Sequence, residues 1–267
     1  MNWFKKYWVS LFIIFGIGIS ILSIWLYYNT FKSFKGLAFD TDTWGTFGDY
    51  IGGILGTILS LMTVVLIYLT YKNQVSTTLL QQFETTFFNL LQNQREILKS
   101  LSGTFITHGN SLNNYSKESH LKYGEAYIYA MANQMAQIME TINLEITITP
   151  EEHLKLINDI YDRNYSGRGA ELGHYFRHLY HIFKYTHESK LTDKKKYIDI
   201  IQAQMGNDEL YIAFYNGLSK YGIERFYPML DQYQFFENIG SKGKIFDEHT
   251  KLFYKNTKFK FLSVSKK

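Results

Sequence analysis

Two runs without a charged residue, 8–28 and 51–71, stand near the start of the chain, and they constrain its fold more than anything after them. Each is 21 residues long. As a helix that length rises roughly 31 Å, about the thickness of a bilayer's hydrocarbon core. Lys5 and Lys6 precede the first run as they would in a secretory signal. Its apolar stretch is nevertheless too long for that role, and it leads into Tyr27, Tyr28, Asn29 and Thr30, which offer no small-x-small cleavage site. It reads as a retained anchor. Trp3, Tyr7 and Trp8 before the first run, Trp25, Tyr27 and Tyr28 at its end, Trp44 and Tyr50 before the second, and Tyr68 and Tyr71 closing it fall where interfacial aromatics gather. The expectation is a two-helix transmembrane hairpin occupying 1–72, with helices over about 8–28 and 47–71.

Lys5, Lys6 and Lys72 flank the outer ends of this hairpin, against Lys32 and Lys35 in the connecting loop, so the positive-inside bias places both termini on the cytoplasmic side. The absence of cysteine is consistent with a reducing compartment. Along the second helix Gly48, Gly52, Gly56 and Ser60 recur every four residues and make one face of small side chains about 18 Å long. Such a face lets a second helix approach backbone to backbone. Two occupants suit it: the first helix of the same chain, through Gly16 and Ser20, or another copy in a homo-oligomer. Asp49 at the entrance of this helix reads as interfacial rather than pore-lining.

No Gly or Pro interrupts the chain after Tyr71, and Phe83, Phe87, Leu90, Leu91 and Leu98 keep helical spacing with Gln94 as a polar break. The second membrane helix is therefore expected to continue into a stalk over 73–101. Residues 73–240 read as one α-helical soluble domain, with helices over 120–143, 151–164, 172–187, 193–205, 208–220 and 226–239. Residues 103–119, rich in Ser, Asn, Thr and Gly, read as a loop. Only 144–149 alternates like a strand, and one strand makes no sheet. The fold class is therefore all-α.

Charge is unevenly placed. Residues 73–240 carry 15 Lys/Arg against 19 Asp/Glu, and residues 241–267 carry 8 against 2. In this basic tail Phe246, Phe253, Tyr254, Phe259, Phe261 and Leu262 interleave with the lysines. The composition suits anionic lipid or single-stranded nucleic acid, or simply a solvated extension.

The densest polar cluster lies at 173–185. On a helix His174, His178 and His181 share one face, and Arg177, Tyr180 and Lys184 the next. With no cysteine and no second ligand cluster, packing and hydrogen bonding explain these histidines better than a metal, and no cofactor signature is read. Arg168, five residues and then His174 resemble the Arg-x4–6-His pattern of HEPN ribonucleases, which are all-α. Such a pair would stabilise a developing phosphorane charge and move a proton from the ribose hydroxyl.

Four motifs in order carry a wider resemblance: Trp44-Gly45-Thr46-Phe47-Gly48-Asp49-Tyr50, Phe83-Glu84-Thr85-Thr86-Phe87-Phe88-Asn89, Tyr175-Phe176-Arg177-His178-Leu179-Tyr180, and Asp208-Glu209-Leu210 through Phe214-Tyr215-Asn216-Gly217. Together they resemble the phage abortive infection (AbiC-like) proteins over about 44–239. The resemblance implies bacterial antiphage defence from the inner membrane, by a multi-pass protein whose action arrests or kills the infected cell on a phage-derived or host trigger. It transfers no catalytic residues. Arg177, His178, Tyr180, His181 and Asn216 are then expected as a sensor-surface or structural polar cluster. Membrane disruption by self-association is favoured over a membrane-tethered ribonuclease using Arg168 and His174, and recruitment of another toxic partner fits the same pattern.

Overall fold

A computed structural model describes residues 2–31, 41–108, 117–141, 149–166 and 169–260. The chain divides into two compact units, Met1–Phe83 and Glu84–Lys267.

The first unit holds α1 (Asn2–Phe31) and the first part of α2 (Thr41–Ser100). α2 carries an apolar stretch long enough to cross a membrane, and the shorter apolar run of α1 is Ile13–Leu26. Phe47, Ile51, Ile54, Ile58, Met62, Val65 and Leu69 are half-buried at intervals of three and four, while large apolar side chains on the other faces, among them Leu59, Leu61, Val64, Ile67 and Tyr68, are exposed. α1 has the same asymmetry: Gly16 and Ser23 are buried, while Ile14, Phe15, Ile17, Ile21 and Leu22 are exposed. Gly16 sits against the Met62 side chain and Ile58 of α2, where a Cβ would require the end of Met62 to move. Polar side chains in these helices turn back on their own backbone. Ser20 donates to the Gly16 carbonyl at 2.9 Å, Thr57 to Gly53 at 2.6 Å, Thr63 to Leu59 and Thr70 to Leu66, each at 2.8 Å. A hydroxyl satisfied by the carbonyl four residues earlier needs no water.

The second unit is mostly helical. The end of α2 leads into β1 (Ser102–His108) and β2 (Lys117–Tyr123), followed by α3 (Gly124–Met139), α4 (Pro150–Ser166), α5 (Gly169–Glu188), α6 (Lys195–Ala203), α7 (Asn207–Leu218), α8 (Tyr227–Gln232) and α9 (Lys244–Leu252). β1 and β2 pair antiparallel, with Phe105 opposite His120. This corrects two expectations: 103–119 is not simply a loop, and the helix expected from His120 starts at Gly124. The physical reason is that Phe105 finds a buried place against Tyr127, ring centroids 5.6 Å apart, which anchors an otherwise exposed ribbon. Gly124 takes φ +51° at the sharp turn from β2 into α3, where its N–H donates to Leu101 O at 2.8 Å. The unit is thus mostly helical, as expected, with one β-ribbon among the described residues. The alternation at 144–149 falls mainly on residues outside those described.

α7 is the axis of the unit. Every residue from Glu209 to Leu218 is buried, as befits a helix apolar on nearly all sides. Phe214 is ringed by Tyr215, Phe236, Phe246 and Tyr254 with centroids 4.7–5.4 Å apart. Gly217 leaves room for the Tyr254 hydroxyl, which donates to Phe214 O at 2.9 Å. Local signals fix the helix starts. Thr149 and Glu152 form a reciprocal capping box ahead of α4 (2.7 and 3.3 Å), and the Gly206 N–H donates to Glu209 Oε2 at 2.9 Å at the start of α7. The helix expected over 226–239 is only Tyr227–Gln232, because Gln234 turns to φ 53°.

The tail is the largest revision. Residues 244–260 are not a separate extension: Ile245, Phe246, Tyr254 and Phe259 are buried in the unit, with Phe246 and Tyr254 closing on Phe214. Those rings are core side chains and are not free to stack on bases or enter lipid, whereas Lys244, Lys251, Lys255, Lys258 and Lys260 are exposed. Phe261 and Leu262 lie outside the described residues.

Candidate functional site

α5 brings the predicted polar cluster to the unit's surface, and its two faces have different fates. Arg177, Tyr180, His181 and Lys184 line a cleft of about 690 Å³, closed by Tyr165 of α4, Asn216 of α7, and Tyr221, Arg225 and Phe226 from the turn after α7. Three cationic residues and a histidine therefore share the lining with five aromatic rings, Phe176 included, and one amide. Arg177 Nε donates to Gly173 O at 3.1 Å, which holds the guanidinium while leaving its terminal nitrogens for another partner. Lys184 meets Glu188 at 3.8 Å, but both are solvent-exposed, so this pair does little to neutralise the cleft.

The floor is rigid. Asn216 donates from Nδ2 to the Tyr161 hydroxyl at 2.7 Å, and burial holds the Tyr161 phenol well above its ordinary range. Tyr161 stacks on Tyr165 (5.3 Å between centroids, 22° between planes), and Tyr165 meets Tyr221 at 4.9 Å. The stack runs from the core to an exposed ring, since Tyr221 is 55% exposed. Burial also raises the Tyr165 hydroxyl, and Arg177 opposes that shift. A second depression of about 370 Å³ mixes Arg95 with Glu125, Asp208 and Glu209, so its charges offset one another.

The other face of α5 is structural. His178 donates from Nδ1 to Gln94 Oε1 at 2.7 Å, so the polar break in the stalk has a partner across the unit. Burial, then the neighbouring His174 and His181, lower the His178 pKa. Tyr175 donates to Glu209 Oε1 at 2.7 Å, tying α5 to the capping carboxylate of α7. His178 is therefore separated from Arg177, Tyr180, His181 and Asn216, which do share one site. His174 is exposed on α5, and Arg168, its partner in the expected ribonuclease pair, lies outside the described residues. Among the described residues no group of three or more His, Asp or Glu side chains is placed to hold a metal ion.

One polar constellation has no counterpart in the sequence reading. His249 of α9, wholly buried, joins His153 of α4 (Nε2 to Nδ1, 3.1 Å) and the Tyr215 hydroxyl of α7 (2.9 Å to Nδ1). Burial, reinforced by His153, pushes the His249 pKa down to about 3, and burial lowers His153 too. The residues are far apart in sequence, and no local spacing announces them.

In the first unit the small-residue stripe is open. No described atom lies within 4 Å of where a Cβ would sit on Gly48, Gly52 or Gly56, and Ser60 is exposed. The contact between α1 and α2 uses Gly16 against Ile58 and Met62 instead, a neighbouring face of α2.

No curated protein and no solved structure matches the chain. Residues 168–242 do match a family model. That segment includes the Tyr175–Tyr180 and Asp208–Gly217 motifs, together with Arg177, Tyr180, His181, Asn216 and Arg225 of the cleft. Over this stretch the chain is similar to the family described as putative phage abortive infection protein.

Proposed function

We propose that this chain is a membrane-inserted antiphage defence protein of the abortive-infection type. α1 and the 47–71 part of α2 cross the bacterial cytoplasmic membrane as a two-helix hairpin, with the helical unit in the cytoplasm. That unit senses infection at the α5–α7 cleft, and the membrane helices of several copies associate through Gly48, Gly52, Gly56 and Ser60 to break the permeability barrier. The observation that carries the reading is the outward-facing apolar surface of the first unit. Side chains such as Ile14, Phe15, Leu61 and Val64 are 60–65% exposed, a surface that water penalises and lipid does not. The inward-turned hydroxyls and the open glycine stripe are consistent with it.

Cells expressing the chain and challenged with phage test the mechanism through two variants. Gly52→Leu with Gly56→Leu should abolish protection while His174→Ala leaves it intact. The opposite pattern would replace membrane disruption with membrane-tethered RNA cleavage by Arg168 and His174.

A further inference from the structure

The cleft between α4, α5 and α7 has a lining specific enough to name the chemistry of its ligand. Three of its lining residues are cationic: Arg177 with its terminal nitrogens free, Lys184, and the exposed Arg225. Groups so placed bind phosphate oxygens, the guanidinium by paired hydrogen bonds. Tyr165 and Tyr221 line the same cleft as the outer two rings of the Tyr161–Tyr165–Tyr221 stack, and Tyr221 is open. A planar base extends such a stack whatever its identity. Asn216, also in the lining, is held by its bond to Tyr161, and its Oδ1 accepts no hydrogen bond among the described residues, leaving an acceptor for a base or ribose edge. The volume, about 690 Å³, is within the roughly 300–1,000 Å³ of small-molecule sites.

From this juxtaposition we infer that the cleft binds a free nucleotide, its phosphate held by Arg177, Lys184 and Arg225 and its base laid against Tyr221 and Tyr165. Neither half of the lining explains the other's ligand. Inorganic phosphate has no use for the aromatic stack, and an uncharged aromatic compound has no use for three cations.

The inference deepens the sensing role proposed above and rests on it only for its consequence in the cell, because binding is read without phage or membrane potential. The test is calorimetric titration of the full-length chain in lipid nanodiscs with AMP, GMP, ATP, adenosine, inorganic phosphate and a short RNA oligomer. At least one of the three nucleotides should bind, and both adenosine and phosphate should bind at least tenfold more weakly. Arg177→Ala with Arg225→Ala should weaken nucleotide binding by more than tenfold, and Tyr221→Ala by about tenfold, as expected for one lost stacking contact. Lys251→Ala, at an exposed position of α9, should bind as wild type does. Arg225→Gln alone, at an exposed position, supplies the same test should the double variant fold poorly, with thermal melting as the check. Binding of none of the nucleotides by the folded protein would overturn the inference. So would equal affinity for phosphate, unchanged affinity in the arginine variants, or binding of the RNA oligomer only. A cleft that binds nucleotide in a chain that leaves membrane potential untouched would uphold the ligand and refute the membrane mechanism. A chain that depolarises cells with an inert cleft would do the reverse.

Discussion

The two units of this protein dispose their polar and apolar side chains in opposite ways. In Met1–Phe83 hydroxyls return to their own helix, as Thr57 does to Gly53, and the large apolar side chains face outward. In Glu84–Lys267 many polar groups are paired between elements, as in Tyr175 with Glu209, Asn216 with Tyr161 and His249 with His153, and most aromatic rings are turned inward, Tyr221 being an exception. The first pattern is compatible with a solvent that offers no hydrogen bonds, and the second excludes water from a core. The difference shows that composition alone misplaces aromatic residues: Tyr68 and Tyr71 are exposed, while Tyr211 and Tyr215 are buried.

The strongest way to break this contrast is to make the outer surface of α2 polar. Leu61→Lys with Val64→Lys puts two charges at the centre of the apolar stretch, at about 3 kcal/mol each. The double variant should leave the membrane fraction on cell fractionation, and unchanged sedimentation with membranes would mean that α2 does not span. Phe214→Ala attacks the other unit at its most enclosed ring and should cost about 3–5 kcal/mol, read as a lower denaturation midpoint of the purified chain. Membrane fractionation should be unaffected.

The histidine pair sharpens the contrast through pH. Because the His249 pKa lies near 3 when folded and about 6.5 when unfolded, the unfolded chain binds the proton more readily between those values. Its contribution to stability is therefore complete above pH 6.5 and is lost as pH falls toward 3. Between pH 7.5 and 5 this one group should remove about 2 kcal/mol. Burial of His153 acts in the same direction. Urea unfolding at the two pH values should show the loss in wild type and a smaller loss in His249→Gln. The smallest expected effect is that of Tyr175→Phe, which leaves the buried Glu209 without one donor and should cost about 1–3 kcal/mol at neutral pH. No change there would mean that the bond contributes nothing net.

Helices were legible where periodicity and caps coincide. Pro150 with Glu151 and Glu152 opens α4, and Asn207 with Asp208 opens α7, each within a residue of the expected start. The β-ribbon was not legible, because its residues are mostly polar and exposed and its order comes from pairing 102–108 with 117–123, a relation that no window of one strand contains. The burial of Phe246, Tyr254 and Phe259 was hidden for a similar reason: lysines between apolar residues describe an amphipathic layer on α7 as well as they describe a free tail. Within the cleft, Arg177, Tyr180 and Lys184 share a helix face that can be counted, and His181 comes from the neighbouring one. Tyr165, Tyr221 and Arg225 reach the site from elsewhere in the chain, and only the tertiary fold gathers them.

Membrane potential decides the mechanism most directly. It would be followed with a voltage-sensitive dye in phage-infected bacteria expressing either wild type or the Gly52→Leu, Gly56→Leu variant at matched levels. Depolarisation before lysis in wild type, absent in the variant, is the expected result. A potential that holds in wild type while growth still stops would contradict membrane disruption and move the toxic step to the helical unit.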